Sequence, residues 1–219
     1  TLWQLPHAPA VAGDHRLSQG VFQQRAEAAA QQALQPWFVS HPRRDSSPLV
    51  TGVGAPFVFL GPALRGEGPD ALPPAESDRV VAAIAQALLA LPGTLAVYDT
   101  LQPQGYGMRN GQCPPLVEPP LDAPAITKAD DPLLQALVCR TITPELETLQ
   151  QRRLYVVTHQ GYFFGTDDTP GAGVNHGTPH LYDRSVPLLV RGVGAAKGRV
   201  MPQVEGTKLF VQWLSKWVR

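Results

Sequence analysis

The sequence predicts an α/β fold, because short apolar runs bounded by proline or glycine alternate with segments of helical periodicity. Three of these runs, Phe57–Leu60, Leu95–Tyr98 and Leu154–Val157, are typical of buried strands. The 219 residues are enough for one domain, or a domain with a subdomain, around a sizeable core.

Three helices are predicted ahead of the third strand. Residues 19–34 are rich in alanine and glutamine, which favour helix, and Pro36 is expected to end that helix. A second helix is expected over residues 77–91, capped by Ser77, because its apolar residues share one face. Asp131 is predicted to cap a third helix, with Pro132 at its first position.

The order of these elements indicates further organisation. The strand at residue 57, the second helix and the strand at residue 95 predict a βαβ unit. A proline-rich loop is expected over residues 103–124. Near the C terminus we expect a strand at residues 186–190 and an amphipathic helix at residues 207–218.

Charge and cysteine content exclude several classes of protein. Basic and acidic residues both number 18, so the formal net charge is zero, whereas a nucleic-acid scaffold needs a basic excess. No apolar run reaches the roughly 18 residues of a membrane-spanning helix. Cys113 and Cys139 are not in a C-x-x-C pair, which gives zinc-finger and thioredoxin chemistry no support. They are either one disulfide of an exported protein or two unrelated thiols.

The stretch from Gly173 to Gly194 carries the strongest indication of chemistry. His176 lies in a glycine-flanked loop ahead of a predicted strand, and such a loop can present an imidazole at a sheet edge. Neutral imidazole is the commonest metal ligand of proteins, and Tyr182 and Asp183 could orient the loop around it. The alternative is a histidine that is hydrogen-bonded inside a glycine-rich loop.

This stretch resembles a loop of the alkaline phosphatase superfamily, in its phosphodiesterase and single-chain phosphatase branch. That loop has the form H-G-[ST]-P-x-x-Y-D, two further residues and V-P-[LI]-[LVF], and nine positions match it between His176 and Leu188. The resemblance implies that His176 ligates a zinc ion that polarises the phosphate and later activates a water. His180 stands where the family often has tyrosine, and it is the candidate for substrate contact.

The pair Asp14-His15 is the second candidate site. The family has a D-H-G turn whose aspartate and histidine ligate the other zinc ion; here Asp14 and His15 match, while Arg16 replaces the glycine. The alternative is a solvated turn ahead of the first helix. His159, at the end of the third predicted strand, is interpreted as a hydrogen-bonded edge residue.

The resemblance extends from Pro48 to the C terminus in the order of elements, and residues 160–164 stand in place of the family's P-G-W-[YF]-F turn. It implies part of a three-layer alkaline-phosphatase-like sandwich with a small α/β excursion. The expected division is a core loop and helix at residues 1–47, the excursion at 48–150, and a C-terminal core segment at 151–219.

Other parts of the family's active site are missing from this sequence, among them the nucleophile and a D-x-x-x-H pair. We therefore expect the C-terminal part of a zinc-dependent phosphate-ester hydrolase, a phosphomonoesterase or phosphodiesterase, that acts on a small phosphate ester. An N-terminal polypeptide is expected to supply the nucleophile and the remaining ligands of two zinc ions. The alternative is a non-catalytic binding module that retains the fold, which Arg16 favours slightly. Since the family is mostly exported, we expect a periplasmic or extracellular location.

Overall fold

The computed structural model describes residues 15–54, 56–117, 119, 123–143, 152–165 and 178–184. In chain order the strands are β1 (Arg16–Ser18), β2 (Val50–Gly54), β3 (Phe57–Leu60), β4 (Thr94–Asp99), β5 (Leu154–Thr158) and β6 (Phe163–Gly165). The helices are α1 (Gln19–Ser40), α2 (Pro74–Leu89), α3 (Pro132–Ile142) and the single turn α4 (Leu181–Arg184). The predicted α/β class is confirmed, and so are the three predicted strands, which are β3, β4 and β5.

A four-stranded sheet of order β2-β3-β5-β4 lies at the centre of the fold, and every neighbouring pair in it is antiparallel. Because β3 and β4 both run antiparallel to β5, they are parallel to each other with β5 between them. The predicted βαβ unit is therefore a split one, in which α2 connects β3 to β4 and a later strand fills the gap. All five residues of β5 are buried, as expected for a central strand.

The two faces of this sheet contribute to two different hydrophobic clusters, because successive residues of a strand point to opposite faces. Leu154 and Val156 of β5 pack in the cluster that contains α1 and α2, whereas Tyr155 and Val157 pack in the cluster that contains α3. The first cluster extends from Leu17 to Phe164. It thus contains residues of all three segments into which the sequence was divided, 1–47, 48–150 and 151–219.

The helix α1 continues past Pro36, so the prediction that this proline ends the helix is wrong. Proline inside a helix removes one backbone hydrogen bond. Here Pro36 is exposed, so water can reach the carbonyl that loses its donor, and the following Trp37 and Phe38 pack against the core. The Arg79 guanidinium of α2 also donates to the Ala33 carbonyl at 2.9 Å. The packing of Trp37 and Phe38 holds the last turn of α1 in place, and the Arg79 contact holds the preceding turn.

The starts of α2 and α3 differ in how well the sequence predicted them. Capping by Ser77 is wrong, because α2 already begins at Pro74, a residue suited to a first helical position. The Ser77 hydroxyl instead donates to the carbonyl of Leu64 at 2.5 Å inside the core. The start of α3 is as predicted: Pro132 is its first residue, and the Asp131 carboxylate accepts two backbone N–H groups of the first turn.

Cys113 and Cys139 form a disulfide, with their Cα atoms 5.6 Å apart. The bond joins the long loop after β4 to α3, so of the two alternatives the disulfide is the one that the structure adopts. In the part of the chain that the structure describes, no helix is long and apolar enough to cross a membrane. The strand predicted at 186–190 and the helix predicted at 207–218 lie outside the described residues.

Candidate functional site

A short parallel ladder between β1 and β6 brings His15 beside the turn that connects β5 to β6. The backbone N–H of Phe163 donates to the His15 carbonyl at 3.3 Å, one residue ahead of the ladder. The His15 imidazole lies edge-to-face against the ring of Tyr162, with ring centroids 4.4 Å apart. Its Nε2 atom is buried, and among the described residues it has no hydrogen-bond partner. Since buried polar atoms are almost always paired, an unpaired nitrogen at this position is a candidate ligand-binding atom.

Residues 158–162, which we call the β5–β6 turn, are held by a set of short hydrogen bonds. The Thr158 hydroxyl donates to the Tyr162 carbonyl at 3.0 Å, and the Tyr162 N–H donates to the His159 carbonyl at 3.0 Å. The His159 N–H donates in turn to the Gly93 carbonyl at 2.8 Å. Hydrogen bonds therefore connect residues within the turn, and they connect the turn to the segment that enters β4.

Gly93 makes room for the ring on which His15 rests. A Cβ atom at this position would lie 2.4 Å from Cδ1 of Tyr162 and 2.9 Å from Cδ2 of Leu17. The backbone φ of Gly93 is also +85°, a conformation that residues with a side chain rarely adopt. Any larger residue at this position would displace Tyr162, and with it the support of the His15 imidazole.

His180 contacts the same turn. Its side chain is 2% exposed, and its Nε2 atom lies 2.8 Å from the Thr158 carbonyl oxygen. A carbonyl can only accept, so Nε2 carries the proton of this hydrogen bond. In the same segment the Asp183 carboxylate accepts from the Thr178 N–H at 2.7 Å, and the Asp183 N–H donates to the His180 carbonyl at 3.1 Å.

The structure thus brings two of the predicted site residues to one turn: His15 contacts Tyr162, and His180 contacts Thr158. Asp14 and His176 lie outside the described residues. His180 is buried and hydrogen-bonded to the Thr158 carbonyl. Substrate contact by His180 stays a prediction. Within the described ranges, no group of three or more histidine, cysteine, aspartate or glutamate residues is arranged to hold a metal ion.

Arg16, which replaces the glycine of the family's D-H-G turn, lies across β6. Its guanidinium carbon is 5.9 Å from the centroid of the Phe163 ring, and its side chain passes over Gly165, where a Cβ atom would lie 2.7 Å from the arginine Cδ. Because neighbouring residues of a strand face opposite sides, Arg16 points away from the side on which His15 meets Tyr162.

Sequence reasoning did not single out Thr158 or Gly93, and it treated Tyr162 only as one position of a matched turn. The local signal at Gly93, a proline–glycine pair directly before a buried strand, indicates a turn and not a close approach by another segment. Which segment approaches could not be read from the sequence.

Comparison of the chain with protein-family models, with curated proteins and with solved structures gave no match.

Proposed function

We propose that this chain is the C-terminal part of a zinc-dependent phosphate-ester hydrolase, a phosphomonoesterase or phosphodiesterase, built on part of a three-layer alkaline-phosphatase-like sandwich. The observation that carries the proposal is the convergence of two histidine-bearing segments on the β5–β6 turn. His15 rests on Tyr162, and His180, four residues after His176, is bonded to Thr158. These are the two segments that the resemblance assigns to metal binding.

The His15 imidazole fits a zinc ligand. Its Nε2 atom is buried and finds no hydrogen-bond partner in the part of the chain that the structure describes, and imidazole nitrogen is a preferred zinc ligand in proteins. In the proposal Asp14 joins His15 at one zinc ion and His176 ligates the other. Zinc, when bound, would polarise a phosphate oxygen and lower the pKa of a bound water. A polypeptide N-terminal to this chain would supply the nucleophile and the remaining ligands.

The residues around His15 support this role because they restrict the orientation of its imidazole ring. Tyr162 lies edge-to-face against the imidazole, and the close approach of Gly93 leaves the tyrosine ring no space to move toward β4. An imidazole held in one orientation loses little conformational entropy when it binds a ligand. Tyr162 and Gly93 would thus orient His15 in advance of metal binding.

A non-catalytic binding module is the second candidate, and Arg16 is the observation that favours it. The arginine lies across β6 over Phe163, where the family's D-H-G turn has a glycine. In that case the β5–β6 turn would be retained for stability alone. Both candidates are compatible with a periplasmic or extracellular protein, because structural disulfides such as Cys113–Cys139 persist in oxidising compartments.

The two candidate functions are separated by measuring zinc content and turnover of the intact assembly, which is this chain together with the N-terminal polypeptide. We would compare the unchanged protein with His15→Ala and His176→Ala, measuring zinc per chain and hydrolysis of an aryl phosphate and an aryl phosphodiester. Each replacement is expected to remove about one of the two zinc ions and to reduce turnover by more than the roughly 10- to 100-fold typical of outer-shell partners. His41→Ala is the matched control, because His41 is exposed and stacks on Trp37 at the far end of α1.

Two results would speak against the hydrolase. Zinc content and turnover that do not respond to His15→Ala or His176→Ala would refute the ligand assignment. An intact assembly that contains no zinc and hydrolyses neither ester would leave the binding module as the better account.

A further inference from the structure

His180 and His15 are connected through the β5–β6 turn by two hydrogen bonds and one ring contact. The His180 Nε2–H donates to the Thr158 carbonyl at 2.8 Å, and the Thr158 hydroxyl donates to the Tyr162 carbonyl at 3.0 Å. The Tyr162 ring then contacts the His15 ring at a centroid distance of 4.4 Å. A change at His180 can therefore reach His15 through groups that are in direct contact.

The segment that carries His180 is also internally braced. The Asp183 carboxylate accepts from the Thr178 N–H at 2.7 Å, and the Asp183 N–H donates to the His180 carbonyl at 3.1 Å. These two hydrogen bonds stabilise residues 178–184 as a local unit. The His180 imidazole extends from that unit to the carbonyl of Thr158, the last residue of β5. The imidazole is 2% exposed, so water cannot easily replace its bond to Thr158.

We propose that His180 is a positioning residue: its bond to Thr158 holds residues 178–184 on the end of β5 and, through Thr158 and Tyr162, fixes the imidazole of His15. The proposal rests on the proposed function only in assigning a metal to His15. The positioning itself involves described residues alone. It gives His180 a part in the site that does not need contact with substrate.

The test compares replacements that keep or remove the donor. His180→Gln places a side-chain N–H near the former Nε2 and should preserve the bond to Thr158, whereas His180→Phe fills the space without a donor. The first readout is the imidazole NMR signal of His15 in metal-free protein labelled at histidine, and the second is zinc affinity of the intact assembly. We expect His180→Phe to shift the His15 signal and to weaken zinc binding about 10- to 100-fold. His180→Gln should retain both values.

Each outcome decides the matter. If His180→Phe leaves the His15 signal and zinc affinity unchanged, or if His180→Gln is as impaired as His180→Phe, the positioning role is refuted. If the unchanged assembly binds no zinc, the proposed function fails, while the metal-free signal of His15 still tests His180. If His180→Phe does not fold, Thr158→Val removes the next hydrogen bond in the connection; an unshifted His15 signal in that variant would overturn the proposal.

Discussion

Replacing Gly93 by alanine should destabilise the protein and disturb the site at the same time. Two costs combine. A side chain at φ +85° costs about 1–2 kcal/mol in backbone conformation. The new Cβ atom would lie 2.4 Å from the Tyr162 ring, and the resulting displacement adds about 1–3 kcal/mol, the usual penalty of overpacking. We therefore expect Gly93→Ala to lower the free energy of unfolding by about 2–5 kcal/mol.

Gly161→Ala separates these two costs. Gly161 has a φ of +86°, but a Cβ atom there would meet nothing within 4 Å, so only the backbone cost applies. Both replacements restrict the unfolded chain equally, so that contribution cancels in the comparison. Urea unfolding should show Gly93→Ala to be less stable than Gly161→Ala by about 1–3 kcal/mol. Two variants of equal stability, with the His15 imidazole signal unmoved in both, would refute the view that Gly93 sets the position of Tyr162.

Two further predictions concern what holds the fold together. Replacing Cys113 and Cys139 by alanine should lower the free energy of unfolding by about 3.5 kcal/mol, the chain entropy of a cross-link between residues 26 apart in sequence. Arg153→Met should cost about 3 kcal/mol, because it leaves the carboxylate of Asp99 without the guanidinium that donates to it at 2.9 Å and removes the second ion pair with Asp78. Urea unfolding measures both.

Each of these predictions has an internal control. Reductant should destabilise the unchanged protein by about as much as the double cysteine replacement does, and should leave that variant unaffected. A disulfide-free variant as stable as the parent would contradict the first prediction. For the second, Arg79→Met removes an exposed ion pair with Glu76 and an exposed hydrogen bond to the Ala33 carbonyl, and should cost no more than about 2 kcal/mol. Equal losses for the two arginines would contradict the importance of burial, since Arg153 is 7% exposed.

The parts of the fold that the sequence predicted well are those with strong local signals. The strands β3, β4 and β5 are apolar runs with clear boundaries, and α3 begins with an aspartate cap and a proline. The strand β2 was not predicted because its sequence VTGVG contains two glycines, which are rare in strands. It forms because its backbone pairs with β3, and this pairing leaves no local signal in the sequence. The end of α1 was misplaced because packing of Trp37 and Phe38 overrides the local effect of Pro36.

The candidate site depends mostly on contacts between distant segments, and those could be predicted only in part. His15 and His180 were recognised from their surrounding motifs. Their contacts with the β5–β6 turn depend on tertiary structure, because they require the pairing of β1 with β6 and the hydrogen bond between His180 and the end of β5. No local pattern encodes that Gly93 and Tyr162 are in contact, since 69 positions separate them in the sequence.

Anomalous diffraction at the zinc edge, from crystals of this chain with its N-terminal polypeptide, would show directly whether His15 binds zinc. The proposed function predicts a zinc peak about 2.0–2.1 Å from the Nε2 atom of His15, with the imidazole still edge-to-face against Tyr162. A density map in which His15 Nε2 is hydrogen-bonded to a protein group, with no anomalous peak beside it, would contradict the account.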